Sequence, residues 1–119
     1  EGEIRERYLA ENESLEGRVL FVSAPDAGHA AAGWFKRNDA ALEFDDIQKL
    51  VKEGFLVRTR ADSSGPDAKL REKAFESGAQ WVSTDHFAVD GPVEKRVVFP
   101  DGKMVRGNPV SGGAGAVEP

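Results

Sequence analysis

Gly54-Phe55-Leu56-Val57-Arg58-Thr59-Arg60-Ala61-Asp62 is the stretch that decides the fold. Side chains alternate between the two faces of a strand, so Phe55, Val57, Thr59 and Ala61 share one side. Leu56, Arg58, Arg60 and Asp62 share the other. The first set suits contact with helices, and the second is too polar for that. On the N-terminal side, residues 45–53 have helical periodicity. Ile47, Leu50 and Val51 form its inner stripe, Asp45 is the expected cap, and Gly54 supplies the stop. On the C-terminal side, Pro66 stands where the next helix should begin. Leu70, Ala74 and Phe75 form the inner face of that helix, and Gly78 ends it. Residues 79–85 (Ala-Gln-Trp-Val-Ser-Thr-Asp) then read as a further strand.

Further upstream, residues 18–24 (Arg-Val-Leu-Phe-Val-Ser-Ala) form a short apolar run suited to a strand buried on both faces. Pro25, Asp26 and Gly28 break it. An irregular stretch follows from Ala27 to Glu43, with a short helix expected around Ala30–Phe35. The chain opens on Ile4, Tyr8 and Leu9 at helical spacing, ended by Asn12, Ser14 and Gly17. The resulting order is helix, strand, loop, helix, strand, helix, strand. Such alternation implies parallel strands with right-handed crossovers, in a (β/α) barrel or an open doubly wound sheet. Three strands cannot close a barrel, which takes about eight strands and 250 residues. The expectation is therefore about three β/α units of a larger α/β enzyme, spanning residues 1–90.

Residues 91–110 have a different character. Arg96–Phe99 and Lys103–Arg106 flank Pro100-Asp101-Gly102, a hairpin signal. Residues 111–119 are rich in glycine and alanine and are expected to be a disordered tail.

Composition narrows the function. The chain has 119 residues, 39% hydrophobic and 31% charged, and a net charge of -5. That balance gives no electrostatic footprint for nucleic acid. No stretch approaches the roughly 20 apolar residues of a membrane helix. Without cysteine, neither a disulfide framework nor a thiolate metal site can form. No nucleophile elbow, P-loop, dinucleotide fingerprint or metal-binding histidine pair is present.

The candidate site residues come from strand ends. Arg58 and Arg60 would point inward near the C-terminal rim of a barrel, where such enzymes build their sites. Arginine's planar fork suits phosphate, making both candidate anion binders. Equally, two arginines and an aspartate on one face can form a buried ion-pair network. Asp62 and Asp85 can orient an arginine, and Asp85 can instead cap the following loop. Lys36-Arg37-Asn38-Asp39, placed in the loop after the first strand, either approaches a phosphate from the rim or is a solvated charge cluster. Trp34 and Trp81 read as packing residues. His29 and His86 read as structural or exposed rather than catalytic.

Several of these segments resemble the calcium-dependent phosphoinositide phospholipase C family, within the phospholipase C-like phosphodiesterases. The run from Gly54 to Asp62 is similar to a Gly-aromatic-aliphatic-Val-Arg-Thr-Arg-Ala-Asp signature. Ser77-Gly78-Ala79-Gln80-Trp81-Val82-Ser83-Thr84-Asp85 resembles a second. Leu15-Glu16-Gly17-Arg18-Val19-Leu20-Phe21 and Lys36, Asn38 and Asp39 resemble two more. The ending from Val97 through Arg106 to Asn108-Pro109-Val110 is also similar. The departures are His86, where the family often has tyrosine, and Gly107, where it often has cysteine. The resemblance implies the C-terminal portion of a TIM-barrel phosphodiesterase, active as a hydrolase or lyase of lipid metabolism when complete and inactive as this fragment alone. The implied substrate is a phosphoinositide or related phosphodiester, and the implied partner is the missing N-terminal half of the barrel. Calcium is implied for the complete enzyme, with no ligand assigned in this chain. No catalytic residue is carried over. In the resemblance, Arg58 and Arg60 would be supporting residues oriented by Asp62 and Asp85; the candidate phosphate binders stay Lys36, Arg58 and Arg60, with Asn38, Asp62 and Asp85 supporting. Export from the cell is implied as well. A glycerophosphodiester phosphodiesterase-like barrel and a non-catalytic barrel remnant are the alternatives.

Overall fold

In a computed structural model, residues 2–10, 24–62, 67–86, 95–99, 102 and 106–112 are described. They form, in chain order, α1 (Gly2–Leu9), β1 (Trp34–Lys36), α2 (Phe44–Lys52), β2 (Leu56–Arg60), α3 (Ala68–Glu76) and β3 (Trp81–Ser83). The three strands make one parallel sheet in the order β1-β2-β3. Thus the chain is α/β, with the parallel connections expected from the alternation.

Alternation along β2 generates the core. Val57, Thr59 and Ala61 are buried on one side. Register places Phe35 of β1 beside Val57, and Val82 of β3 beside Thr59. Against this side pack Ile47, Leu50 and Val51 from α2 and Leu70 and Ala74 from α3. An edge-to-face contact between Phe35 and Phe55, with centroids 5.2 Å apart, fills the space between β1 and the start of β2. Helix α1 buries none of its side chains, and Ile4 is exposed.

Helix ends follow local chemistry. The Asp67 side chain accepts from the amides of Lys69 and Leu70 and caps α3. Gly54 and Gly78 both adopt positive φ (90° and 80°), the left-handed stop expected after α2 and α3. Gly78 is doubly constrained, because a Cβ there would lie 2.5 Å from Val110 Cγ2.

Some expectations are corrected. Ala30–Phe35 is not helical. Turns occupy 27–31, and Trp34–Lys36 is β1. Backbone pairing with β2 decides this, since Leu56 N donates to Gly33 O and Arg37 N to Arg58 O. Lys36 consequently ends a strand instead of lying in a loop. The N-cap of α2 is Glu43, not Asp45, and it has no side-chain capping bond. A separate turn precedes it, where Asp39 Oδ1 accepts from Ala41 N and Leu42 N. Asp45 sits in the first turn, where its charge favours the positive helix end.

The strand expected at 18–24 falls outside the described residues except for buried Ala24, and so do Asn12, Ser14, Gly17 and Pro66. Arg96–Phe99 carries no sheet ladder. Gly102 N donates to Phe99 O at 2.9 Å, while residues 100–101 and 103–105 lie outside the described set. Ser111 and Gly112, placed in the disordered tail by sequence, are tied to Asn108 through Ser111 N to Oδ1 and Gly112 N to the carbonyl.

Candidate functional site

The face of the sheet opposite the helices is layered along the strand direction. Trp34 and Leu56 lie toward the N-terminal ends, with the Trp34 indole 6.1 Å from that of Trp81 in the next layer. Next, Lys36, Arg58 and Trp81 stand side by side in register across all three strands. Arg60 and Ser83 form the following pair. Asp62 and Asp85 come last, just beyond the C-terminal strand ends. An apolar floor thus leads to a row of cations and then to carboxylates.

The two arginines are held differently. Arg60 donates to Asp85 in an ion pair. Asp85 is itself fixed by Asp62, whose Oδ1 accepts from Asp85 N at 3.1 Å, while its Oδ2 accepts from the Thr84 hydroxyl. Asp62 is buried, so these two bonds satisfy a carboxylate that would otherwise be costly to desolvate. Arg60 therefore belongs to a network that closes the end of the sheet. Among the described residues, Arg58 meets a neutral group, its Nη1 donating to Asn38 Oδ1 at 2.6 Å. Lys36 is exposed beside it. Among the described residues, neither Lys36 nor Arg58 has a carboxylate partner. Arg37 and Asp39 of the same segment are engaged with the start of α2. Arg37 pairs with Asp46 and more distantly with Glu43, and it lies over the Phe35 ring.

The remaining candidates are placed as follows. His86 N donates to Thr84 Oγ1, and His29 Nδ1 accepts from Ala31 N, so each closes a local turn. Trp34 and Trp81 share the open face, and Trp81 is half exposed. Beside β3 runs a cleft of about 950 Å³ lined by Phe75, Trp81, Val97, Phe99, Arg106 and Pro109. Neither Lys36, Arg58 nor Arg60 lines it, and its walls are largely apolar.

The described carboxylates do not fit a calcium ion. Calcium takes six to eight oxygen ligands. Both oxygens of Asp62 are already accepting, Asp85 is neutralised by Arg60, and no group of three acidic or histidine side chains converges among the described residues. No helix among these residues is long and apolar enough to cross a membrane.

Sequence reading gave no role to two further side chains. Gln80 brackets the β2 backbone, accepting from Val57 N at 2.8 Å and donating to Phe55 O at 3.2 Å. Asn108 donates to Gly78 O at 2.6 Å and accepts from Val110 N and Ser111 N. With Arg106 donating to Phe75 O, it ties the last described segment to the end of α3. A polar residue flanked by Ala79 and Trp81 was the available signal for Gln80. Asn108 offered its place before a proline, a common turn signal, and in the ending similar to the family's.

A family model described as "Phosphoinositide phospholipase C, Ca2+-dependent" matches residues 1–109. No curated protein and no solved structure matches the chain. With nearly the whole chain covered, it belongs to the Ca2+-dependent phosphoinositide phospholipase C family.

Proposed function

We propose that this chain supplies C-terminal strands of the β/α barrel of a phospholipase C-type phosphodiesterase, and that Lys36 and Arg58 bind the phosphate of its substrate. The observation that carries this reading is the adjacent pair of cations on the open face of the sheet, without a carboxylate partner among the described residues. Lysine contributes a point charge, and arginine adds directed hydrogen bonds to phosphoryl oxygens. Asn38 holds the Arg58 guanidinium from the side. Arg60 acts through the Asp62–Thr84–Asp85 network and shapes the rim.

In the complete barrel, a substrate hydroxyl adjacent to the phosphate attacks phosphorus, with a histidine base and acid supplied by strands outside this chain. Lys36 and Arg58 stabilise the negative charge that builds on the phosphoryl oxygens. Calcium ligands also belong to those other strands. The open polar face, the parallel sheet and the family membership support this division of labour. Alone, the chain is expected to show no phosphodiesterase turnover with or without calcium.

The test is binding of inositol 1-phosphate to the full chain by titration calorimetry. Arg58→Ala should weaken it roughly tenfold or more, the usual cost of losing a charged hydrogen bond. Lys36→Ala should weaken it less, and Arg60→Ala least. Equal affinity across the wild type, Arg58→Ala and Lys36→Ala would sink the assignment.

A further inference from the structure

We infer that Gln80 is a positioning residue: its side-chain amide replaces a missing rung of the sheet and sets where Arg58 stands on the open face. In a parallel ladder, one residue donates its N–H to the carbonyl before its partner and accepts from the N–H after it. Continuing the register Arg58↔Trp81 backward places Ala79 opposite Leu56. Ala79 should therefore serve Phe55 O and Val57 N. It does not, because its own N–H turns to Ser77 Oγ at 3.3 Å as the chain leaves α3 through positive-φ Gly78.

Gln80 takes over both bonds, donating to Phe55 O and accepting from Val57 N. A carboxamide carries the same donor and acceptor as a peptide unit, so the substitution is chemically complete. On its other edge, β2 is held by backbone bonds alone, at Gly33 O and Arg37 N. On the β3 edge, Trp81 is the backbone partner of Arg58, and the rung just before it, which ends at Val57 N, is a side chain. An exposed glutamine thereby holds the β2 backbone up to Val57, the residue before Arg58.

The relevance to phosphate rests on the function proposed above, whereas the bracketing of β2 does not. The experiment compares wild type, Gln80→Leu and Arg106→Ala in the full chain. Arg106→Ala serves as a control that loosens the end of α3 without touching β2. Three quantities are read: hydrogen exchange at the Val57 amide, the position of the Arg58 Nε–H resonance, and the affinity for inorganic phosphate. Gln80→Leu should reduce Val57 protection roughly threefold to tenfold, as loss of one hydrogen bond does. It should also move the Arg58 resonance and weaken phosphate binding by about the same factor. Gln80→Glu keeps the acceptor and should restore most of the Val57 protection. Arg106→Ala should leave Val57 and Arg58 unchanged even where its melting temperature falls as far. The inference is overturned if Gln80→Leu leaves both signals at their wild-type values, or if Arg106→Ala reproduces both changes. A wild-type chain that binds no phosphate removes the functional reading, and the Val57 and Arg58 signals still decide the role of Gln80.

Discussion

The two faces of the same three strands are stabilised by different physics. The helix-facing side is held by Phe35, Val57 and Val82 against Ile47, Leu50, Val51, Leu70 and Ala74, through burial of apolar surface. The open side is held by directed bonds: Arg60 to Asp85, Thr84 and Asp85 N to Asp62, and Arg58 to Asn38. Burial is insensitive to direction and tolerates small shifts. Charged hydrogen bonds fix particular atoms in particular places. The first face makes the sheet, and the second fixes where its polar side chains stand.

Substitutions can test this contrast. Phe35→Ala attacks the covered face where it is fully buried, and a cost of about 3–5 kcal/mol is expected from lost transfer energy and the cavity left behind. Denaturant unfolding measures it, and a cost under about 1 kcal/mol would mean that this face collapses around cavities unusually well.

Asp62→Ala is the corresponding strike on the open face. It orphans the Thr84 hydroxyl and the Asp85 amide, for an expected loss of about 1–3 kcal/mol. If Asp62→Ala proved costlier than Phe35→Ala, the distinction between the faces would fail.

One residue violates its own face. Thr59 is fully buried on the apolar side, and its hydroxyl has no hydrogen-bond partner among the described residues. Thr59→Val removes that group at nearly constant shape and should raise stability by about 1 kcal/mol. A loss of stability in thermal melts would reveal an acceptor that the described residues do not show.

The arginines should give the smallest effects on stability. Arg60→Ala breaks a pair whose carboxylate is 71% exposed, so water screens the orphan and the expected cost is below about 1 kcal/mol. Arg58→Ala should cost less still while costing the most in phosphate affinity. Finding the reverse order for affinity would move the anion site to the rim.

Much of this was legible from the chain. Helices α2 and α3 each carry a clear apolar stripe with a glycine stop. The alternation in β2 separates its two faces without further information. β1 was not legible, because three residues are too few to show a period and the ladder with β2 creates the strand. The split between Arg58 and Arg60 was hidden for a related reason. Which arginine finds a carboxylate depends on the pairing of Arg60 with Ser83, two residues before Asp85. Gln80 was unreadable because its role exists only once the Ala79 amide has turned away.

The contacts of Arg106 and Asn108 have a kinetic consequence. They reach back 31 and 30 residues to the end of α3, whereas the turns and helices they secure close over a few residues. Long loops are entropically expensive to close, so these contacts should form after the sheet has assembled. Interactions absent from the transition state slow unfolding without speeding folding. The segment from Arg106 to Gly112 would then act as a latch on the lifetime of the folded chain. Asn108→Ala should steepen escape from the native state, raising the unfolding rate several-fold, while the refolding arm of the chevron stays where it was. A slowed refolding arm would place the latch in the nucleus instead.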